Sequence, residues 1–335
     1  MSTAALEVKG LRITARTDEG PASLLDGVGF TVRPGTIMGL VGESGCGKST
    51  TSKAILGILS SNVKVEQGQV LLHGEDILGL SERQLFKVRG SGIAFIPQDP
   101  YLAVNPVFTI GRQLLEIMRW HAPGPQAHET ERVPARLHRS RLIALMKRVQ
   151  LPDPEGALER YPHQFSGGQR QRLLIVAALC CDPRVVIADE PTTALDVTTQ
   201  NEILLLLKEI VAERGLSMLF VTHDLGVVAQ LCDDLTVMYA GQTVETGPTA
   251  RVLNHPRHPY TAALIACHPE RSGGLVGIPG SVPSPLNAPP GCRYEARCGS
   301  AQAGCTVRPP YLRPVARGHL VNCIHFDDLD AREAA

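Results

Sequence analysis

The sequence predicts an α/β fold: a mostly parallel sheet covered by helices on both faces, with an N-terminal antiparallel β-subdomain, an inserted helical subdomain and a small loop-rich C-terminal domain. Three observations predict it. Short apolar runs alternate with stretches of helical periodicity, the order that builds parallel sheets from crossover units. One junction between such a strand and helix is a glycine-rich loop, Gly42 to Thr50. From His255 onward the composition shifts to Pro, Gly, Arg and Cys, which marks a change of domain. A chain of 335 residues suits a main domain with an appendage, divided here as 1–254 and 255–335, with the helical insertion at about 101–180.

The elements follow in order. Leu6 to Ile13 and Gly29 to Val32 are the strands of an N-terminal hairpin joined through the turn Asp18-Glu19-Gly20-Pro21. Thr36 to Val41 is a buried strand that enters the glycine-rich loop, and Ser49 to Leu59 is the helix that leaves it. Gly68 to Gly74 is another short strand, and Ser81-x-x-Gln84 fits a capping box that opens a helix. The strand Gly92 to Ile96 ends at Pro97-Gln98-Asp99-Pro100. Helices at Gly111 to Trp120 and Leu137 to Leu151 flank a loop from His121 to Pro134, and Leu137, Leu142, Leu145, Met146 and Val149 are expected on one helical face. Phe165-Ser166-Gly167-Gly168-Gln169 opens an amphipathic helix over Arg170 to Cys181. The core resumes with the strand Val185 to Glu190, the helix Gln200 to Arg214 and the strand Ser217 to His223.

Gly42-Glu43-Ser44-Gly45-Cys46-Gly47-Lys48-Ser49-Thr50 fits Gly-x4-Gly-Lys-[Ser/Thr], the phosphate loop (P-loop) of nucleotide hydrolases. Glycines let successive N–H groups and the helix N-terminus point at phosphate oxygens. Lys48 supplies a charge for the β and γ phosphates, and Ser49 a hydroxyl for Mg²⁺. Phosphoryl transfer to water also needs a carboxylate that organises the metal, a group that polarises water and a contact to the γ phosphate. Asp189 and Glu190 at one strand end, His223 at another and Gln98 at a third supply those roles, at the carboxyl ends of strands where α/β sheets bind ligands. Lys+Arg and Asp+Glu are both 33, so no global field argues for a nucleic-acid partner. No apolar run approaches the roughly 20 residues of a membrane span, and Glu7 stands where a signal peptide would be apolar.

Ser166-Gly167-Gly168-Gln169 upstream of the Asp189-Glu190-Pro191 strand resembles the signature of ABC-type ATPases. The resemblance implies ATP as substrate, Mg²⁺ as cofactor and a head-to-tail dimer in which Ser166, Gly167, Gly168 and Gln169 of one subunit grip the nucleotide on the partner's phosphate loop. It also implies that Gln98 is the Q-loop residue coupling to membrane subunits, Asp196 the D-loop residue and His223 the H-switch. The position similar to the family's adenine-stacking aromatic is Ala15, a departure, with Arg16 beside it. His255-Pro-Arg-His-Pro-Tyr-Thr-Ala-Ala-Leu264, Tyr161-Pro-His-Gln164 and Asn105-Pro106 are similar to segments of oligopeptide, dipeptide and nickel importer ATPases. That subfamily implies a peripheral subunit on the cytoplasmic face of the inner membrane, a sister ATPase subunit, two transmembrane permeases and, indirectly, an extracytoplasmic substrate-binding protein. A soluble ABC-type ATPase without a transport role, or a regulatory module with an idle ATPase core, are the rival readings.

Nine cysteines include four clustered as Cys292-x5-Cys298-x6-Cys305-x17-Cys323. In a reducing compartment such a cluster reads as metal ligands, either tetrahedral zinc or an iron–sulfur cluster. None of the gaps is as short as the pairs that structural zinc favours, and the wider spacing suits a [4Fe–4S] cube, which some similar dipeptide-type ATPases carry. The expected role is a structural staple for a domain rich in proline and poor in apolar residues.

Overall fold

The computed structural model describes residues 4–122, 135–193, 195–267, 277–307 and 311–326. The expected loop from His121 to Pro134 lies largely outside the described residues, as does Ala194. The chain divides into two compact units, Met1–Gly79 with Phe220–Ala335, and Leu80–Leu219.

The first unit holds two sheets. In the N-terminal one, β1 (Leu6–Thr17) and β2 (Gly20–Val32) form an antiparallel hairpin, and β4 (Val63–Leu72) and β5 (Glu75–Asp76) follow in the order β2-β1-β4-β5. Both hairpin strands are longer than their apolar runs. Leu6, Val8, Leu11, Ile13 and Ala15 are all buried because a register shift between Val8 and Leu11 moves the alternation by one residue. The other sheet runs β11 (Arg313–Ala316), β12 (His319–Val321), β10 (Gln242–Pro248), β9 (Asp234–Tyr239), β3 (Ile37–Val41). β3 is buried along its whole length and parallel to β9, with Met38 opposite Asp234. The C-terminal segment, expected to be loop-rich, contributes the β11–β12 hairpin, which pairs antiparallel to β10 with Val321 opposite Glu245. Helices α1 (Lys48–Leu56), α8 (Leu225–Leu231), α9 (Thr249–Asn254) and α10 (Pro259–Ala266) belong to this unit.

In the second unit β6 (Ile93–Ile96) and β7 (Val185–Asp189) are parallel neighbours, Ile96 opposite Ala188. Around them stand α2 (Glu82–Val88), α3 (Ile110–His121), α4 (Ala135–Arg148), α5 (Pro154–Ala157), α6 (Gly167–Leu179) and α7 (Val197–Arg214). The capping box at Ser81 is present, with Gln84 accepting from the Ser81 N–H at 3.0 Å. Two expectations need correction. Leu137 is 45% exposed, because it lies five positions before Leu142 and so about 140° round the helix, and His138 takes the inward place. Helix α6 is not amphipathic but buried on nearly every side, Gln171 and Arg172 included. Arg172 is tolerated there because its guanidinium donates to the Val149 carbonyl (2.6 Å) and to Glu202 (2.7 Å). Among the described residues no helix is long and apolar enough to cross a membrane.

Candidate nucleotide site and cysteine pocket

The expected site residues fall in two sets, one in each unit. In the first unit β3 delivers the chain into the loop Gly42 to Gly47, and the loop's shape depends on absent side chains. A Cβ on Gly42 would lie 2.1 Å from the Met238 carbonyl oxygen, and one on Gly47 (φ 102°) would lie 2.5 Å from Leu25. Lys48 is buried and curls back so that Nζ donates to the carbonyls of Gly42 (2.7 Å) and Glu43 (3.2 Å). Its charge is thus held against the loop backbone at the start of α1, where a helix N-terminus favours phosphate. Ser49 stands exposed on the first turn of α1 with Thr50 half-buried beside it, and Thr51 anchors the turn by donating to the Gly47 carbonyl at 2.9 Å.

Cys46 fills the space under the loop: its Sγ would lie 2.7 Å from a Cβ on Gly42, and the residue is 1% exposed. Burial pushes its thiol pKa up, so it packs as a small apolar group rather than a reactive one. Ser44 and Gly45 form the exposed tip. His223 follows the strand β8 (Ser217–Val221), whose end lies beside β3 through the Thr222 N–H donating to the Leu40 carbonyl at 3.2 Å. Loop and histidine therefore leave adjacent strand ends. Ala15 is 7% exposed within β1 and presents no ring.

In the second unit the parallel pairing of β6 and β7 brings Gln98 to Glu190: Gln98 Nε2 donates to Glu190 Oε2 at 3.0 Å. The Thr193 hydroxyl donates to the same oxygen at 3.1 Å, a partner the sequence did not single out. Asp189 closes β7 and is 7% exposed. Glu190 then takes a left-handed backbone conformation, φ 46°, which turns its side chain away from the direction of Asp189. A non-glycine residue held there costs on the order of 1–3 kcal/mol and is found where a site demands it. Ser166 caps α6 through a complete box, Gln169 Oε1 accepting from the Ser166 N–H at 3.1 Å. Gly167 and Gly168 form the first turn, whose N–H groups have no partner within the helix. Gly168 has no room for a side chain, since a Cβ would meet Thr199 at 2.9 Å. Asp196 caps α7, and hydrogen bonds from Thr199 hold its carboxyl below the usual range.

Cys292, Cys298, Cys305 and Cys323 line one pocket in the first unit, together with His258, Tyr294 and His325. Burial pushes the Cys292 thiol up to about 11, with the neighbouring thiols adding to the effect. Among the described residues no three His, Cys, Asp or Glu side chains gather closely enough to hold a single metal ion. Thiols are the donor type that both zinc and iron–sulfur groups take. The His255 to Leu264 segment reaches this region through a buried carboxylate that the sequence did not reveal. Glu245 accepts from the N–H groups of Arg257 (2.8 Å) and His258 (2.9 Å) and meets His319 Nε2 at 2.7 Å.

Residues 25–193 match the ABC transporter family, and residues 244–305 match the oligopeptide/dipeptide transporter C-terminal region. The chain is 40% identical over 322 residues to the dipeptide transport ATP-binding protein of Bacillus subtilis, spanning 95% of this chain and 93% of that one. It is 39% identical over 321 residues to the oligopeptide transport ATP-binding protein of Haemophilus influenzae, spanning 95% and 96%. A solved dimeric ATP-binding cassette, in a post-hydrolysis state bound to ADP and Pi, is similar with a TM-score of 0.63 at 26% identity, over 73% of this chain and 98% of that one.

Proposed function

The chain belongs to the ABC transporter ATPase family, and from that membership we propose that it hydrolyses ATP to power an importer of peptides or related small solutes. The observation that carries the proposal is a complete phosphate loop in a chain whose strand-end glutamate, Glu190, is held by Gln98 and Thr193. In this reading Gly42 to Thr50 wraps the phosphates, and Lys48 exchanges its two loop carbonyls for phosphate oxygens. Ser49, Asp189 and Gln98 are the residues that would serve as Mg²⁺ ligands, and the metal would supply charge to screen the developing phosphate. Glu190 polarises the attacking water and His223 contacts the γ phosphate. Ser166, Gly167, Gly168 and Gln169 present a capped helix start to the nucleotide of a partner subunit, and Asp196 lines the dimer seam.

The partners in this reading are a sister ATPase and two transmembrane permeases, with an extracytoplasmic binding protein acting indirectly and no nucleic acid. The subunit sits peripherally on the cytoplasmic face of the membrane. The helical insertion at about 101–180, with Gln98, transmits closure to the permeases, so that nucleotide binding biases a two-state gate. The names of the two relatives support dipeptide or oligopeptide cargo.

Within the 255–335 extension the four cysteines hold a [4Fe–4S] cluster, zinc being the alternative. Their shared pocket and all-thiol donor set support this reading. Bound there, the cluster would supply four iron–thiolate bonds that staple the segment. Anaerobic purification should give a brown protein with about four iron and four sulfide per chain; colourless, iron-free protein would exclude the cluster. For the ATPase itself, Glu190→Gln should leave ATP binding within twofold of the parent and lower turnover by roughly 100-fold or more. Retained steady-state hydrolysis would remove Glu190 from the water-activating role.

A further inference from the structure

Glu43, the first variable residue of the phosphate loop, has its polar groups engaged on three sides, and two of the contacts come from the C-terminal extension. Its N–H donates to the Tyr260 hydroxyl at 3.0 Å. Its carbonyl accepts from Lys48 Nζ (3.2 Å) and from the Cys46 N–H (3.2 Å). Its carboxylate takes a two-pronged bond from Arg297, at 2.8 and 3.2 Å. All of these residues lie in the first compact unit.

Arg297 is built for this contact. Its side chain is 4% exposed, and all five guanidinium hydrogens have acceptors. Nε donates to the Pro279 carbonyl (2.9 Å), one terminal nitrogen to Glu43 and the Tyr239 hydroxyl (3.2 Å), and the other to Glu43 and the Ile278 carbonyl (2.8 Å). Tyr239, Tyr260 and Tyr294 pack ring against ring at 4.6 to 5.3 Å beneath it. A bidentate, desolvated arginine fixes both position and angle of its carboxylate, which a lysine cannot do. The same pairing covers a negative charge that would otherwise face an anionic ligand one residue from Gly42.

We infer that Arg297 and Tyr260 are positioning residues of the nucleotide site: the C-terminal extension holds Glu43, and through it the loop carbonyls that set Lys48, in the geometry that accepts polyphosphate. The extension is then part of the phosphate site's scaffold. The inference rests on the ATP-binding reading and deepens it.

The test is equilibrium binding of Mg–ATP to the purified full chain, with thermal melting as a folding control. Arg297→Ala should raise the ATP Kd five- to tenfold, because it both loosens Glu43 and uncovers its charge. Arg297→Lys, which keeps a cation beside Glu43 but cannot hold both carboxylate oxygens, should still raise the Kd at least threefold, a loss that charge covering alone would not give. Tyr260→Phe, which removes only the hydroxyl under the Glu43 N–H, should raise the Kd about threefold and supplies a second reading should Arg297→Ala melt early. A parent chain that binds ATP while Arg297→Ala and Tyr260→Phe bind within twofold of it overturns the inference alone. So does an Arg297→Lys variant that binds ATP within twofold of the parent. A parent chain that binds no ATP removes the underlying reading as well.

Discussion

A methyl group at Gly42 would have to share space with the Met238 carbonyl oxygen, 2.1 Å from where its carbon must sit, while the backbone keeps φ at 155°. Neither the carbonyl, fixed in β9, nor the loop can yield without moving the backbone against which Lys48 is held. Gly42→Ala should therefore weaken ATP binding at least tenfold, as measured by nucleotide titration, with little change in helix content. The same corner holds the sulfur of the buried Cys46, 2.7 Å from where that methyl carbon would sit. Asp196 offers a residue-scale test by pH. Bonds from Thr199 lower its pKa in the folded chain, so the cap stabilises α7 above the ordinary aspartate pKa and is lost as pH falls through the lowered folded value. Thr199→Ala, which keeps the capping N–H and removes the hydroxyl bond, should move the Asp196 titration midpoint part of the way up toward that of a free aspartate, read by carboxyl-carbon NMR; an unchanged midpoint would remove the hydroxyl from the set that lowers it.

At the scale of elements, α6 is tied to its neighbours by one nearly buried polar side chain. Arg172 ties it to the end of α4 through Val149 and to α7 through Glu202, with its own side chain 10% exposed and Glu202 56% exposed. Arg172→Ala leaves the Val149 carbonyl without that donor and should destabilise the second unit by about 1–3 kcal/mol, seen as a lower urea midpoint. Arg172→Met, which keeps the stem, should lose less. This arginine also shows where sequence reading stops. The caps at Ser81 and Ser166 were legible because a capping box is written within four residues. The start of α7 was placed three residues late, since Asp196 read as a seam residue before it read as a cap. The short strands β11 and β12 were invisible because three or four residues carry no periodicity, and their pairing to β10 is set by distant partners.

For the whole molecule, the family was legible because its motifs are local strings spread along the chain, whereas the contacts that join distant strings were not. Gln98 and Glu190 are 92 positions apart and Arg297 and Glu43 are 254 apart, and only parallel strand pairing or a buried extension brings such residues together. What the proposed chemistry requires beyond one chain can be argued from Ser166. The helix start has N–H groups at Gly167 and Gly168 without partners within the helix and no acidic side chain in its first turn, so it is suited to an anion supplied from outside. If that anion is the γ phosphate on a partner's loop, hydrolysis is a property of the assembled pair and binding is a property of the single chain. The purified subunit should then bind ATP yet turn it over slowly, and reconstitution with a second ATPase subunit and permeases should raise turnover roughly tenfold or more. In that assembly Ser166→Arg in this chain should leave its own ATP affinity within twofold and reduce hydrolysis at the facing site by about 100-fold, the cost of losing one preorganised donor set in a transition state. The discriminating measurement is a pairing experiment. Lys48→Ala in this chain disables only its own loop, so combining it with an intact sister should retain one working site, while Ser166→Arg with the same sister should silence the site that Lys48→Ala spares. Both substitutions placed together in this chain should then abolish hydrolysis; a double variant that keeps the activity of either single one would show that each chain closes its own phosphate loop.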